Sequence, residues 1–342
     1  MSVFVLLILS TLMEPAHTAD STFLVTRDDL EFWLQQVEQK VKNPRAGIFG
    51  PDSISWKINR ESAVFLGAGR AALLQLAHPW VAAALTQHSS LLRDPIARFH
   101  NTFRIVFTMV FGSAPQVLTA SRSLHQLHTR IRGEIGSSIG AYARGSRYEA
   151  NYIPALRWVY ATLVNSAVLA YEYVLPPLTE AEREAYFAES KILASLFGIP
   201  ASALPNDWEG FSAYMSEMFE SDALGADSTA IAMAHNLLSG AGSWLRPPTW
   251  YRGLTASWMP QRLREEFALE YGASERRATE RASRWLPRVY RKLPASLRFT
   301  GAYHEACARL CARSPGPLTR ASNRFWIGQP LMPFGDQDSL EH

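Results

Sequence analysis

Apolar residues recur along this chain at three- and four-residue spacing almost throughout, and no stretch of useful length alternates in the two-residue rhythm of a strand. The pattern predicts a helix over about 27–42, stopped by Asn43-Pro44, then a turn at Phe49-Gly-Pro-Asp-Ser53. A long helical region from Glu61 to Leu92 is predicted to bend at Pro79. Ile96 to Phe111 follows, with Pro95 near the first helical position. The next helix is predicted from Ala114 to Arg132, closed by Gly133 as a C-cap glycine. Residues 133–147 are rich in Gly and Ser and read as a loop. Ile153 to Val174 is the most apolar helix, and Thr179-Glu-Ala-Glu182 is a capping box opening a helix to Phe197. Asp207 to Ser221 is helical, with a Met-rich and aromatic face. The span Arg246 to Pro260 holds three Pro and two Trp and is expected to be irregular. Helix returns from Gln261 to Arg313 with breaks expected at Pro287 and Pro294, and the tail after Ser314 is expected to be loose. The expectation is an all-α chain: one helical domain over 25–313, an N-terminal extension over 1–20 and a C-terminal tail over 314–342.

Composition narrows the function classes. The chain has 342 residues, 47% hydrophobic and 19% charged, as expected for a globular protein with a sizeable core. A net charge of +3 is too small to mark a nucleic-acid binder, and no nucleotide-binding glycine motif or zinc finger is present. The two cysteines, Cys307 and Cys311, are too few for a zinc site and read as small core residues. Met1 to Met13 is apolar but short for a membrane span; it has the length of a signal-peptide core, lacks an early Lys or Arg, and leaves cytosolic and exported or membrane-anchored locations open. The apolar stretch from Trp158 to Tyr171 reads as a buried helix. The basic run from Arg276 to Arg298 reads as a solvated face, with a membrane-surface contact as the alternative.

Two polar clusters are not what an ordinary apolar core needs. Arg98-Phe-His-Asn-Thr102 and His125-x-x-His128-x-x-x-Arg132 each sit in a stretch of helical apolar spacing, so their polar groups are expected to face inward with Phe103, Val106, Leu124 and Ile131. Burying Arg and His without partners is costly, so something in the interior must answer them. On residues alone, each also has a plain reading: a hydrogen-bonded core His128, an Arg98 paired to Asp94, and His125 and Arg132 on a helix surface. His78, before Pro79, is expected to steady the bend, with His88 similar; His100 and His304 are expected at the surface.

The ordered string Gly67-Ala-Gly-Arg70, Leu73-Leu-Gln-Leu-Ala-His78-Pro79, His88-Ser89, Asp94-Pro95, Arg98-x-x-x-Thr102, His128-Thr-Arg-Ile-Arg-Gly133, Tyr148-Glu-Ala150, Trp158-Val-Tyr-Ala-Thr-Leu-Val164 and Gly198-Ile-Pro200 resembles the catalytic domain of rubber oxygenases, the latex clearing proteins and the fungal oxygenases of mycophenolic acid synthesis. The resemblance runs from about Phe49 to about Leu297. It implies a globin-like helical core, haem b with an axial histidine, dioxygen as co-substrate, and oxidative cleavage of a carbon–carbon double bond in an isoprenoid or other lipid-like substrate. It places the haem-iron ligand at His128, a haem-pocket role at Arg98 and Thr102, and cofactor contacts at Arg132 and His125. The chain departs from the family twice: His125 stands where latex clearing proteins tend to have Arg, and Tyr160 where many relatives have His, with a tyrosinate ligand as the minor alternative. The rival classes are a haem or apolar-ligand binding protein without turnover, and a different oxidoreductase on the same scaffold.

Overall fold

The computed structural model describes residues 23–88, 95–240 and 246–334. The expectations for residues 1–20, Asp94 and Ser89 therefore lie outside the described residues. Where the chain carries a side chain able to answer the free amides of a helix start, a helix begins. Thr26 and Asp29 form a capping box on α1 (Arg27–Glu38), and Ser53 accepts from the Trp56 amide at the start of α2 (Ile54–Asn59). A 3₁₀ turn over Ser62–Gly67 leads into α3 (Ala68–Leu76), and α4 (Pro79–His88) follows after Ala77-His78. The predicted bend at Pro79 is a true break between two helices. The next two are α5 (Pro95–Phe111) and α6 (Ala114–His128).

Here the structure corrects the periodicity. Helix α6 ends at His128, and Arg132–Glu134 is a strand, β1, paired antiparallel with β2 (Arg147–Glu149) so that Gly133 faces Tyr148. Gly133 is thus no helix cap. A Cβ there would lie 2.6 Å from Gln87 Oε1 and 2.7 Å from Tyr148 Oη, so the glycine serves the close approach of strand and side chains.

Helix α7 (Ile153–Val174) runs through the core, against α3 and the 3₁₀ turn. It is long and apolar enough to cross a membrane by length and composition, and most of it is buried among the other helices. Two buried indoles of the core are satisfied: Trp158 Nε1, on α7 itself, donates to the Leu74 carbonyl at 2.8 Å and Trp56 Nε1 to the Val110 carbonyl at 2.9 Å. Helix α8 (Glu180–Leu196) opens on the Thr179–Glu182 capping box, and α9 (Trp208–Glu220) on Asp207, both as the sequence indicated. Then come α10 (Ser228–Ser239), α11 (Thr249–Trp258), α12 (Gln261–Glu266), α13 (Ala273–Tyr290), α14 (Ala295–Arg298), α15 (Gly301–Leu310) and α16 (Pro317–Ile327). Among the described residues the protein is an all-α single domain with one two-stranded ribbon.

Three further expectations are corrected. The Pro-rich span after Arg246 forms α11, because Pro248 and Pro260 flank the helix and leave its interior free of proline. Pro287 lies inside α13 without ending it; the carbonyl it leaves unbonded belongs to the exposed Ser283, where water can donate to it. The described part of the tail, up to residue 334, is not loose. Buried Asn323 of α16 donates to the Glu305 carboxylate at 2.6 Å, the Met332 amide donates to the same group at 3.0 Å, and Gln116 Nε2 reaches the Pro333 carbonyl at 3.0 Å. Of the cysteines expected in the core, Cys307 is half-buried and Cys311 exposed.

Candidate functional site

Helix α5 presents two neighbouring stripes to the interior. Phe99, Phe103 and Phe107 recur every fourth residue, their rings 5.7, 4.7 and 5.6 Å from that of Phe65. Arg98, Thr102 and Val106 lie one residue over and share the same turn spacing. Both stripes border a cavity of about 260 Å³ between α3, α5, α7 and α16. Its wall is mostly aliphatic and aromatic, with Gln75, Arg98, His100 and Ser166 among its few polar groups. For scale, an apolar cavity of about 150 Å³ accepts benzene.

The glycines of the Gly67-Ala-Gly-Arg70 string explain how this wall is built. A Cβ on Gly67 would meet the Ser166 carbonyl oxygen at 2.5 Å, and one on Gly69 would meet Thr255 Oγ1 at 2.9 Å. The turn before α3 therefore lies directly on α7, and α3 directly on α11. Arg70 is buried, donates from Nη1 to Ser166 Oγ at 2.8 Å and from Nε to the Trp258 carbonyl at 2.9 Å, and ties the three helices together.

The cavity holds one conspicuous charge. The Arg98 guanidinium has neither a hydrogen bond nor an ion pair among the described residues. Burial lowers its pKa, yet an arginine stays charged at neutral pH. An unanswered cation on an apolar cavity wall is an anion-recognising group. Thr102 lines the same cavity, but its hydroxyl donates back to the Arg98 carbonyl at 3.0 Å, so it offers a ligand an acceptor rather than the donor its position suggested.

The second polar cluster is not part of this wall. His128, the last residue of α6, is half-buried and feels the charge of Arg98. Burial first, then Arg98 and His125, push its pKa down to about 4, against a hydrogen bond that the ring donates to the Asn151 side chain. The imidazole is neutral with a lone pair to offer. His125 is buried with Nε2 3.0 Å from the Val25 carbonyl, which ties α6 to the segment before α1. Arg132 is exposed on β1, and its carbonyl lies 3.1 Å from His88 Nε2. Neither residue reaches the cavity, because α6 stops at His128 and carries Arg132 away onto the strand.

Other sequence expectations resolve as follows. Tyr160 is buried with its hydroxyl 2.6 Å from Ser190 Oγ, away from the cavity wall, and burial raises its pKa, which disfavours a phenolate. His78 is buried between α3 and α4 with Nε2 3.3 Å from Tyr142 Oη, so its side chain answers a tyrosine rather than the backbone at Pro79. His100, expected at the surface, lines the cavity and bonds the Phe325 carbonyl through Nε2 at 3.0 Å. The part sequence reasoning missed is the tail: Trp326 of α16 stacks on Phe65 at 3.6 Å with the rings within 5° of parallel, and closes the cavity with Phe325. Gly316-Pro317 was a readable helix start.

The buried titratable groups set a pH dependence. Desolvation pushes His78 down to about 4 from 6.5, so the unfolded chain binds more protons between those values and stability is lost as pH falls through that window. For this fully buried ring the loss is about 3 kcal/mol. Glu305 has the opposite sign: burial raises it to about 6 from 4.5, so the native state gains about 2 kcal/mol as pH falls from 6 to 4.5. Thermal unfolding midpoints are expected to fall on acidification below 6.5, most steeply below 4.5 where the Glu305 gain is exhausted. His78→Gln should make the profile shallower, His128 contributing with the same sign over the same window; an unchanged slope in that variant would contradict this account.

Comparison with curated proteins finds no match, and comparison with solved structures finds none. A family model described as the catalytic domain of ER-bound oxygenase mpaB/B'/Rubber oxygenase matches residues 56–291, a span that contains the turn before α3, the Arg98–Thr102 stripe, α6 and α7. Covering more than half of the chain, that match places this protein in the mpaB and rubber oxygenase family.

Proposed function

We propose that this protein is a haem b-dependent oxygenase that cleaves a carbon–carbon double bond in an isoprenoid or similar lipid-like substrate. The observation that carries the reading is the Arg98 cation, without an ion pair among the described residues, on an apolar cavity wall and within electrostatic reach of a neutral His128. The types of group suit haem, although His128 lies off the cavity wall that carries Arg98: a carboxylate-bearing, mostly apolar macrocycle needs a neutral imidazole for its iron and a cation for its acid groups. His128 would hold the metal and Arg98 an anionic group. His125 and Arg132, with their present partners, would act through the positioning of α6 and of the β1 ribbon. When bound, haem supplies the redox-active iron at which dioxygen is used.

The chain's own residues then do three things. Phe99, Phe103 and Phe107 hold an alkene in a dry apolar space, which strengthens every electrostatic contact there. Arg98 stabilises negative charge that develops in that space. Trp326 and Phe65 shield it from the outer surface. Family membership supports the oxygenase class. The test is a panel of prenyl alcohols of increasing length under labelled dioxygen. The expected products are pairs of carbonyl compounds with label in both new carbonyl groups. No oxygen consumption across the panel, in a protein shown to carry haem, would leave only the binding-protein class.

A further inference from the structure

Helix α13 and the residues after it carry a surface that the oxygenase reading does not use. Residues 273–292 contain seven cations, Arg276, Arg277, Arg281, Arg284, Arg288, Arg291 and Lys292, against two carboxylates, Glu275 and Glu280. That surplus of five exceeds the +3 of the whole chain, so the rest of the molecule is net negative. All seven cations are exposed, and among the described residues none pairs with a carboxylate. The polar contacts they make are to backbone carbonyls: Arg276 to Tyr271, Arg288 to Arg284 and Arg291 to Val174.

The same segment exposes apolar groups that a purely solvated face has no use for. Trp285 is 42% exposed, Val289 48% and Leu297 58%, in a set of only seven large exposed apolar side chains among the described residues. Trp285 and Val289 are one turn apart, beside the stripe of Arg277, Arg281, Arg284 and Arg288. Basic residues flanking an exposed Trp on an amphipathic helix suit an anionic lipid surface, where the cations meet headgroups and the ring sits at the interface. Nucleic acid would be served by the cations but leaves Val289 and Leu297 in water.

We infer that α13 and its following turn form a docking surface for anionic membranes. The inference goes beyond the oxygenase reading and stands without it. The surface also lies close to the cavity. The α13 helix packs on α11, the Trp285 ring meets Trp250 edge-on at 6.0 Å, and the next residue, Tyr251, lines the cavity. A docked protein would hold that wall near the lipid phase.

The experiment is co-flotation of the full chain with phosphatidylcholine vesicles, with and without about one third phosphatidylserine. Wild type is expected to float only with the anionic vesicles. Reversing three cations together (Arg277→Glu, Arg281→Glu, Arg284→Glu) should weaken this by about a hundredfold or more, and Trp285→Ser by about tenfold. Variant folding is checked by circular dichroism. Val289→Ser, at an exposed site, serves as a second apolar variant should Trp285→Ser misfold. Flotation that is equal for wild type and the folded triple variant would overturn the inference, since any remaining affinity would then come from elsewhere in the chain. Binding that RNA competes away, and that Trp285→Ser and Val289→Ser leave unchanged, would also overturn it.

Discussion

Arg98→Ala is expected to lose about a hundredfold or more of oxygenase turnover while the protein becomes no less stable, and melts slightly higher. The two effects have one cause. Among the described residues no carboxylate pairs with the partly buried Arg98 side chain, so the water it has given up at the apolar wall is not replaced there. Removing the side chain relieves that cost. The same lack of a partner among the described residues leaves the guanidinium to a ligand's anionic group or to charge that develops during reaction, where one removed donor typically costs 10²–10³ in rate, of order 3 kcal/mol. Arg98→Lys keeps the charge but not the planar fork, and should recover only part of the turnover. Oxygen-electrode rates and melting curves on the three proteins decide the matter. A wild-type rate in Arg98→Ala would remove the residue from the mechanism. A large drop in melting temperature with it would mean that the cation is a structural one.

The largest expected effect on stability comes from a single methyl group. Gly67→Ala places a Cβ 2.5 Å from the Ser166 carbonyl oxygen, and the atom it meets is backbone in the middle of the core helix α7. Neither side can yield cheaply, so the turn before α3 and α7 must part. Overpacking of this kind costs about 3 kcal/mol. At about 2–4 °C per kcal/mol for a domain of this size, the melting temperature should fall by about 6–12 °C. Parting the two elements also draws Arg70 away from Ser166 Oγ and widens the cavity that Gly67 and Ser166 both line. Gly136→Ala, where a Cβ meets nothing within 4 Å, is the control and should melt with wild type. Equal melting of the two variants would refute the close-packing account of the Gly67-Ala-Gly-Arg70 string.

These cases indicate what a sequence of this kind reveals. The helices were readable because their apolar spacing and their caps agree: Thr179-Glu-Ala-Glu182 and Asp207 open α8 and α9 where the pattern begins. The Arg98–Thr102 stripe was readable because four-residue spacing puts both on one face wherever the helix is helical. Arg132 was misplaced because a helical repeat cannot announce that Gly133 will be needed for a close contact with Tyr148 and Gln87, which are 15 and 46 residues away in the chain. His100 and Trp326 were missed for a related reason. Each looks incidental alone, and they belong to the cavity because Glu305 and Arg104 fasten the tail across α5, through Asn323, the Met332 amide and the Ile327 carbonyl. Long-range tethers of that sort leave no periodic trace.

The absorption spectrum of the freshly isolated protein, wild type beside His128→Ala, probes the haem assignment most directly. A Soret band in wild type that is lost in a folded His128→Ala variant is the expected result. A wild type that stays colourless after incubation with haemin, or a band that survives intact in His128→Ala, would contradict it.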